Sequence, residues 1–116
     1  MLRLATDENL NGNITRALLR RWPKLNLVRI QDSPVHRMGD PEVLAWCAQE
    51  SRVMLSHDVR TLPHHAKSRI DEGIAVAGIV ILSDRLSIHS ALSDLFLIVE
   101  ASEQYEWIDR INYLPL

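Results

Sequence analysis

Twice in its first half the chain runs a short apolar stretch directly into an acid. Met1-Leu2-Arg3-Leu4-Ala5-Thr6 leads into Asp7-Glu8-Asn9, and Val53-Met54-Leu55-Ser56 leads into His57-Asp58. Apolar runs of this length, bounded by polar residues, are what strands buried on both faces look like, as in a parallel sheet covered by helices. Open α/β sheets bind their ligands in the crevice beyond the carboxyl ends of such strands. The recurrence therefore predicts a parallel sheet with carboxylates gathered along one edge.

The segments between and after these runs fit that plan. Leu10, Ile14, Ala17 and Leu18 lie on one face of a helix over 10–21 that Pro23 stops, and its other face carries Arg16, Arg20 and Arg21. Leu25 to Ile30 reads as a second strand, and Gln31 to Gly39, with Pro34, as a loop. Asp40-Pro41-Glu42 is a helix start, with Asp40 as the expected N-cap and Pro41 at a position where its missing donor costs nothing. Val43, Leu44, Cys47 and Ala48 continue that helix on one face. A third helix is expected over 62–72, with Gly73 as its stop, and a fourth buried strand over 77–82. The last helix carries Ile88, Leu92, Leu95, Val99 and Ser102 at helical period, and 107–113 alternates imperfectly as an edge strand before Pro115. Strands alternating with helices imply right-handed crossovers and a three-layer α/β fold: a mostly parallel sheet of four to five strands with helices on both faces.

With 116 residues, 47% hydrophobic and 24% charged, the chain is expected to form one domain, 1–116, with a core of its own. It shows no apolar stretch of membrane-spanning length and no signal-peptide pattern, so a cytoplasmic protein with no membrane partner is the expectation. The lone Cys47 excludes an internal disulfide and any multi-cysteine zinc motif, and its place in an apolar helical pattern makes it buried filler. Net charge is only −2, yet residues 1–70 hold 11 Lys and Arg against 7 acids, whereas residues 71–116 hold 2 against 8. Arginine outnumbers lysine 11 to 2, a bias that suits bidentate contact with phosphates or, equally, a solvated basic face.

Asp7, Glu8, Asp40 and Asp58 converge at one sheet edge in this plan. Each alone could be a helix cap, but three sites of acid at one edge are harder to explain by capping. Carboxylates within about 4–6 Å repel one another, and a hard divalent cation resolves that cost. The chemistry such a site favours is phosphodiester hydrolysis.

Asp7-Glu8-Asn9-Leu10, Asp40-Pro41-Glu42-Val43-Leu44-Ala45 and Arg52-Val53-Met54-Leu55-Ser56-His57-Asp58 together resemble the short PIN-like domains, predicted nucleases related to the VapC-type toxins of toxin–antitoxin systems. The resemblance extends through Pro63, Gly78-Ile79-Val80-Ile81 and the 107–116 tail. It implies a compact α/β fold, dependence on Mg²⁺ or Mn²⁺, and cleavage of RNA. It also implies Asp7, Asp40 and Asp58 as metal ligands, with Glu8 and Glu42 as supporting acids. A small antitoxin protein would then be a partner. Where many members carry a further acid, this chain has Val59 and Arg60, which leaves open whether one ion or two are held.

Arg16, Arg20, Arg37, Arg60, His64 and Lys67 are the candidate contacts to RNA phosphates, against the alternative of a solvated surface. The last helix and the Trp107 region are the expected surfaces for a homodimer. Two other functions remain open. A receiver-type domain that accepts phosphate on Asp58 would need a lysine after its last strand, and there is none beyond Lys67. A PIN-like module that binds RNA or a protein without cutting is the other.

Overall fold

The central strands form where aliphatic side chains can be buried on both faces, and the two edge strands are more polar and more exposed. A computed structural model describes residues 1–116. The strands are β1 (Arg3–Thr6), β2 (Asn26–Arg29), β3 (Val53–Ser56), β4 (Ile79–Leu82) and β5 (Ile111–Leu114); the helices are α1 (Gly12–Arg21), α2 (Asp40–Glu50), α3 (Thr61–Asp71) and α4 (Ile88–Ala101). All five strands are parallel, in the order β2-β1-β3-β4-β5. β3 and β4 are buried at every position, as their uninterrupted apolar sequence requires.

Two cores flank the sheet. On one face Leu2, Leu4, Val53, Leu55, Val80 and Leu82 meet Ile14 and Leu18 of α1 and Ala91, Leu95, Ile98 and Val99 of α4. On the other, Ala5, Met54, Ile79 and Ile81 meet Val43, Leu44 and Cys47 of α2 and Leu62 and Ala66 of α3. The expected three-layer arrangement is therefore present.

The uniform right-handed winding expected from the alternation of strands and helices is not. α2, α3 and α4 each carry the chain toward the β5 edge, yet α2 and α3 lie on one face and α4 on the other, beside α1. The β4–α4–β5 crossover thus has the opposite hand to the other three. The physical reason is coverage: α1 spans only ten residues and cannot shield Val53, Leu55, Val80 and Leu82 as well as β1. The apolar stripe of α4 completes that face.

Three local readings also change. Gly39, not Asp40, occupies the N-cap of α2, so Asp40 becomes the first helical residue and its carboxylate is not used on its own helix. Gln31 begins no open loop: Ile30–Asp32 form a short 3₁₀ turn. Trp107 ends a second such turn, Gln104–Trp107, and the edge strand starts only at Ile111. Trp107 is buried, and its indole N–H donates to Ser102 Oγ at 2.9 Å, so its own side chain belongs to the core, while Tyr105 and Ile108 beside it are exposed. Cys47 is buried as expected, and burial pushes its thiol up to about 12, which keeps it protonated and inert.

Candidate functional site

The winding direction reverses at β1, which has β2 on one side and β3 on the other, and the crevice beyond the strand ends at such a reversal is where open α/β sheets bind ligands. Asp7 leaves β1 at this point, its backbone N–H donating to Leu55 O at 2.9 Å. Asp58 follows β3, its register neighbour, and Asp40 heads α2.

Ser56, the fully buried last residue of β3, ties the first two acids together. Its hydroxyl donates to Asp7 Oδ2 at 2.7 Å and accepts the Asp58 N–H at 2.9 Å. The Asp58 carboxylate in turn accepts the backbone N–H groups of Arg60, Thr61 and Leu62 at 2.9, 2.9 and 3.2 Å, and the Thr61 hydroxyl. Asp58 therefore serves the amino terminus of α3, the capping role that an acid between a strand and a helix often takes. Partial burial pushes its carboxyl up, but the hydrogen bonds from Thr61 and the three backbone donors outweigh it and hold Asp58 below the ordinary value.

Asp40 behaves oppositely. Burial raises its carboxyl first, and the negative charges of Asp58 and Asp7 raise it further, against lowering by Thr61 and His65. Thr61 has one hydroxyl hydrogen and serves one carboxylate at a time; the geometry gives it to Asp58. Asp58 and Asp7 thus both bear on Asp40 at one edge of the sheet, with no lysine or arginine among the influences on it.

No three side chains of His, Cys, Asp or Glu converge closely enough to cage an ion by themselves. A hard cation that keeps much of its water needs only one or two carboxylates, the habit of Mg²⁺. Asp7 and Asp40 are the groups that would hold it, because Asp58 is occupied with α3. Glu8 and Glu42 are exposed, and the Glu42 carboxylate lies over Gly39, so both stand at the margin of the site.

His57 is fixed rather than free. Its Nε2 accepts the Asn11 N–H at 3.2 Å, and its Nδ1 faces Leu82 O at 2.8 Å, so Nδ1 carries the hydrogen and the ring bolts the ends of β3 and β4 to the start of α1. Asp84 Oδ1 lies 3.5 Å from the same nitrogen.

The basic candidates scatter. Arg16 lines a small polar recess together with Asp7, and Arg60 lies beside Asp58, whereas Arg20 is farther along α1. Arg37 sits in the turn before α2 with φ of 64°, and His64 and Lys67 are exposed on α3. Three residues matter more than their sequence context suggested. Thr61 is legible in hindsight from its place three residues after Asp58, a capping spacing; Arg29 and Gln31, which line the recess beside Asp7, carry no sequence signal.

A larger cavity of about 320 Å³, bordered by Ala48, Val76, Tyr105 and Ile108, opens at the opposite, amino-terminal edge and holds no acid or base besides the Tyr105 phenol. Size and chemistry therefore part company in this fold. No helix is long and apolar enough to cross a membrane. In comparisons with protein-family models, curated proteins and solved structures, the chain matched none.

Proposed function

We propose that the chain is a metal-dependent ribonuclease of PIN-like type, hydrolysing RNA phosphodiester bonds at the edge formed by Asp7, Asp40 and Asp58. The observation that carries this reading is the Ser56 hydroxyl linking Asp7 to Asp58 at the ends of β1 and β3, with Asp40 nearby, its carboxyl raised first by burial and then by the charges of Asp58 and Asp7. Asp7 and Asp40 would hold a divalent ion, Mg²⁺ or Mn²⁺, which would supply positive charge to offset that of the scissile phosphate and would make a water more acidic. The chain's own residues do the rest. Ser56 orients Asp7, Thr61 and the start of α3 hold Asp58, and Arg16 at the same edge offers a guanidinium to the phosphate.

By its resemblance to the toxin-related PIN-like domains, the chain is a toxin component whose partner is a small antitoxin that occludes this edge. Self-association through the outer face of α4, where Leu97 is exposed, belongs to the same reading. A second reading, a PIN-like module that binds RNA or protein without cutting, is favoured by one observation: all of the hydrogen bonds accepted by the Asp58 carboxylate come from its own helix start. The receiver-type alternative is disfavoured by the same commitment of Asp58 and by the lack of a lysine at the end of β5, where Pro115 and Leu116 stand.

Incubating the purified protein with mixed-sequence RNA and Mg²⁺ or Mn²⁺ separates these readings. Cutting that stops with chelator and in Asp7→Asn supports the nuclease; RNA binding without cutting supports the binding module. Metal-dependent cutting that persists in Asp7→Asn and Asp40→Asn would place the chemistry elsewhere.

A further inference from the structure

At the amino-terminal edge of the sheet, away from Asp7, Asp40 and Asp58, the cavity of about 320 Å³ is walled by Ala48 of α2, by Ala75, Val76 and Ala77 of the segment that leads into β4, and by Tyr105 and Ile108. Its size lies at the lower end of the roughly 300–1,000 Å³ of ligand pockets, room for one or two anchoring side chains. The apolar surface does not stop at the mouth. Tyr105 is 71% exposed, Ile108 52% and Ile74, next to Ala75, 44%, so three of the nine large hydrophobic side chains left in water gather here. A concave apolar patch with a polar border marks a docking surface.

Two further observations say what docks. The first is backbone left unused: residues 74–78 are extended but belong to no strand. Val76 spends both of its backbone groups on Asp109, its N–H donating to Oδ1 and its carbonyl accepting the Asp109 N–H, each at 3.0 Å. Ala75 and Ala77, on either side, donate to nothing in the chain. Water serves those N–H groups in the free protein, and the carbonyl oxygens of an extended partner segment can take its place.

The second is charge. No acid, lysine or arginine lines the cavity itself. Around it, Asp71 and Glu72 lead into Ile74, Glu103 precedes Gln104 and Asp109 follows Ile108, all four exposed and none in an ion pair. Glu50, beside Ser51, is matched by Arg3 and Arg52. One base stands against these acids, Arg69, whose Nη2 donates to Ala75 O at 3.1 Å; Arg110 lines a different recess, with Ser102 and Glu106. An acidic border disfavours two possible occupants. It repels RNA phosphates, and in a symmetric dimer the same patch would meet itself, acid against acid.

We infer that this cavity docks a short extended segment of another protein, with an apolar side chain seated between Ala48 and Tyr105 and lysines or arginines on either side of it facing Glu72, Glu103 and Asp109. None of these residues belongs to the edge that carries Asp7, so the inference stands or falls apart from the nuclease reading.

The test is selection from a random-peptide phage library on the immobilised wild-type protein, followed by fluorescence anisotropy with the enriched peptides. Those peptides are expected to share a large apolar residue flanked by lysine or arginine. Their affinity should fall about tenfold or more in Tyr105→Ser, which removes an anchor that stands mostly in water, and in Ala48→Trp, which fills the cavity. Glu72→Gln combined with Asp109→Asn should weaken the basic peptides about threefold, reduce their salt dependence and leave uncharged analogues unaffected. Asparagine keeps the oxygen that accepts the Val76 N–H and tolerates the φ of 61° at this position. Peptides enriched without a basic preference, binding that survives both Tyr105→Ser and Ala48→Trp, or no enrichment at all would overturn the inference. So would a concentration-dependent dimer of the wild type that Tyr105→Ser dissolves, which would make a second copy the occupant, or RNA binding that Tyr105→Ser abolishes.

Discussion

Ser56 joins Asp7 to the end of β3 through a hydroxyl that donates to Oδ2 at 2.7 Å. Because the same oxygen accepts the Asp58 N–H, one buried side chain sets the spacing of two of the three acids. Ser56→Ala leaves the Asp58 N–H and one Asp7 lone pair without their partner, which should cost about 1–3 kcal/mol in urea unfolding. In the fraction that remains folded, RNA cleavage should fall by about tenfold or more, since small displacements of reacting groups are expensive. A variant matching wild type in both stability and rate would show that Ser56 only fills space.

Asp40 and Asp58 should respond to acid in opposite senses. Asp58 is held below the ordinary aspartate value of 3.8, so it contributes stability above 3.8 that is lost as pH falls through its lowered folded value. Asp40 is raised above 3.8, so its ionisation costs stability as pH rises from 3.8 through its folded value, and that cost is absent below 3.8. Asp58→Asn is therefore expected to be less stable than wild type at neutral pH, with the gap closing in acid. Asp40→Asn is expected to be at least as stable as wild type at neutral pH, an advantage that vanishes below 3.8. Unfolding midpoints across the acid range check both, and two variants shifting in the same direction would refute the assignment.

These opposite roles mark what could be read from residues alone. Strand-then-acid at Asp7 and at Asp58 was visible because apolar runs and their ends are local in the chain, and so was the helix opening at Asp40-Pro41. Which acid caps and which stays free was not visible, because it depends on where Thr61 and Ser56 lie relative to carboxylates that come from other elements. The face taken by α4 was hidden for a similar reason: its stripe of Ala91, Leu95, Ile98 and Val99 fits either side, and the choice rests on how much of the sheet α1 leaves bare. Gln31 and Arg29 were silent, since a polar pair after a strand reads as a loop until the recess beside Asp7 is assembled around it.

Gly78 governs the opposite edge. Its φ of +121° lies in a region that favours glycine, and an added Cβ would fall 2.6 Å from Trp107 Cβ and 2.7 Å from Trp107 O. Gly78→Ala should cost about 2–4 kcal/mol of stability through backbone strain and overpacking against a buried tryptophan. Because this contact precedes β4, at the end of the sheet away from Asp7, Asp40 and Asp58, cleavage per folded molecule should be unchanged. Wild-type stability in this variant would show that β4 and Trp107 can separate freely.

That Asp7 and Asp40 together hold a divalent ion is the claim on which the proposed chemistry depends. Titration of the protein with Mn²⁺, following the free ion by electron paramagnetic resonance, measures it without reference to any substrate. We predict saturable binding by wild type, competition by Mg²⁺, and loss of binding in Asp7→Asn and in Asp40→Asn. Binding that is undiminished in both variants, or no binding by wild type, would contradict it.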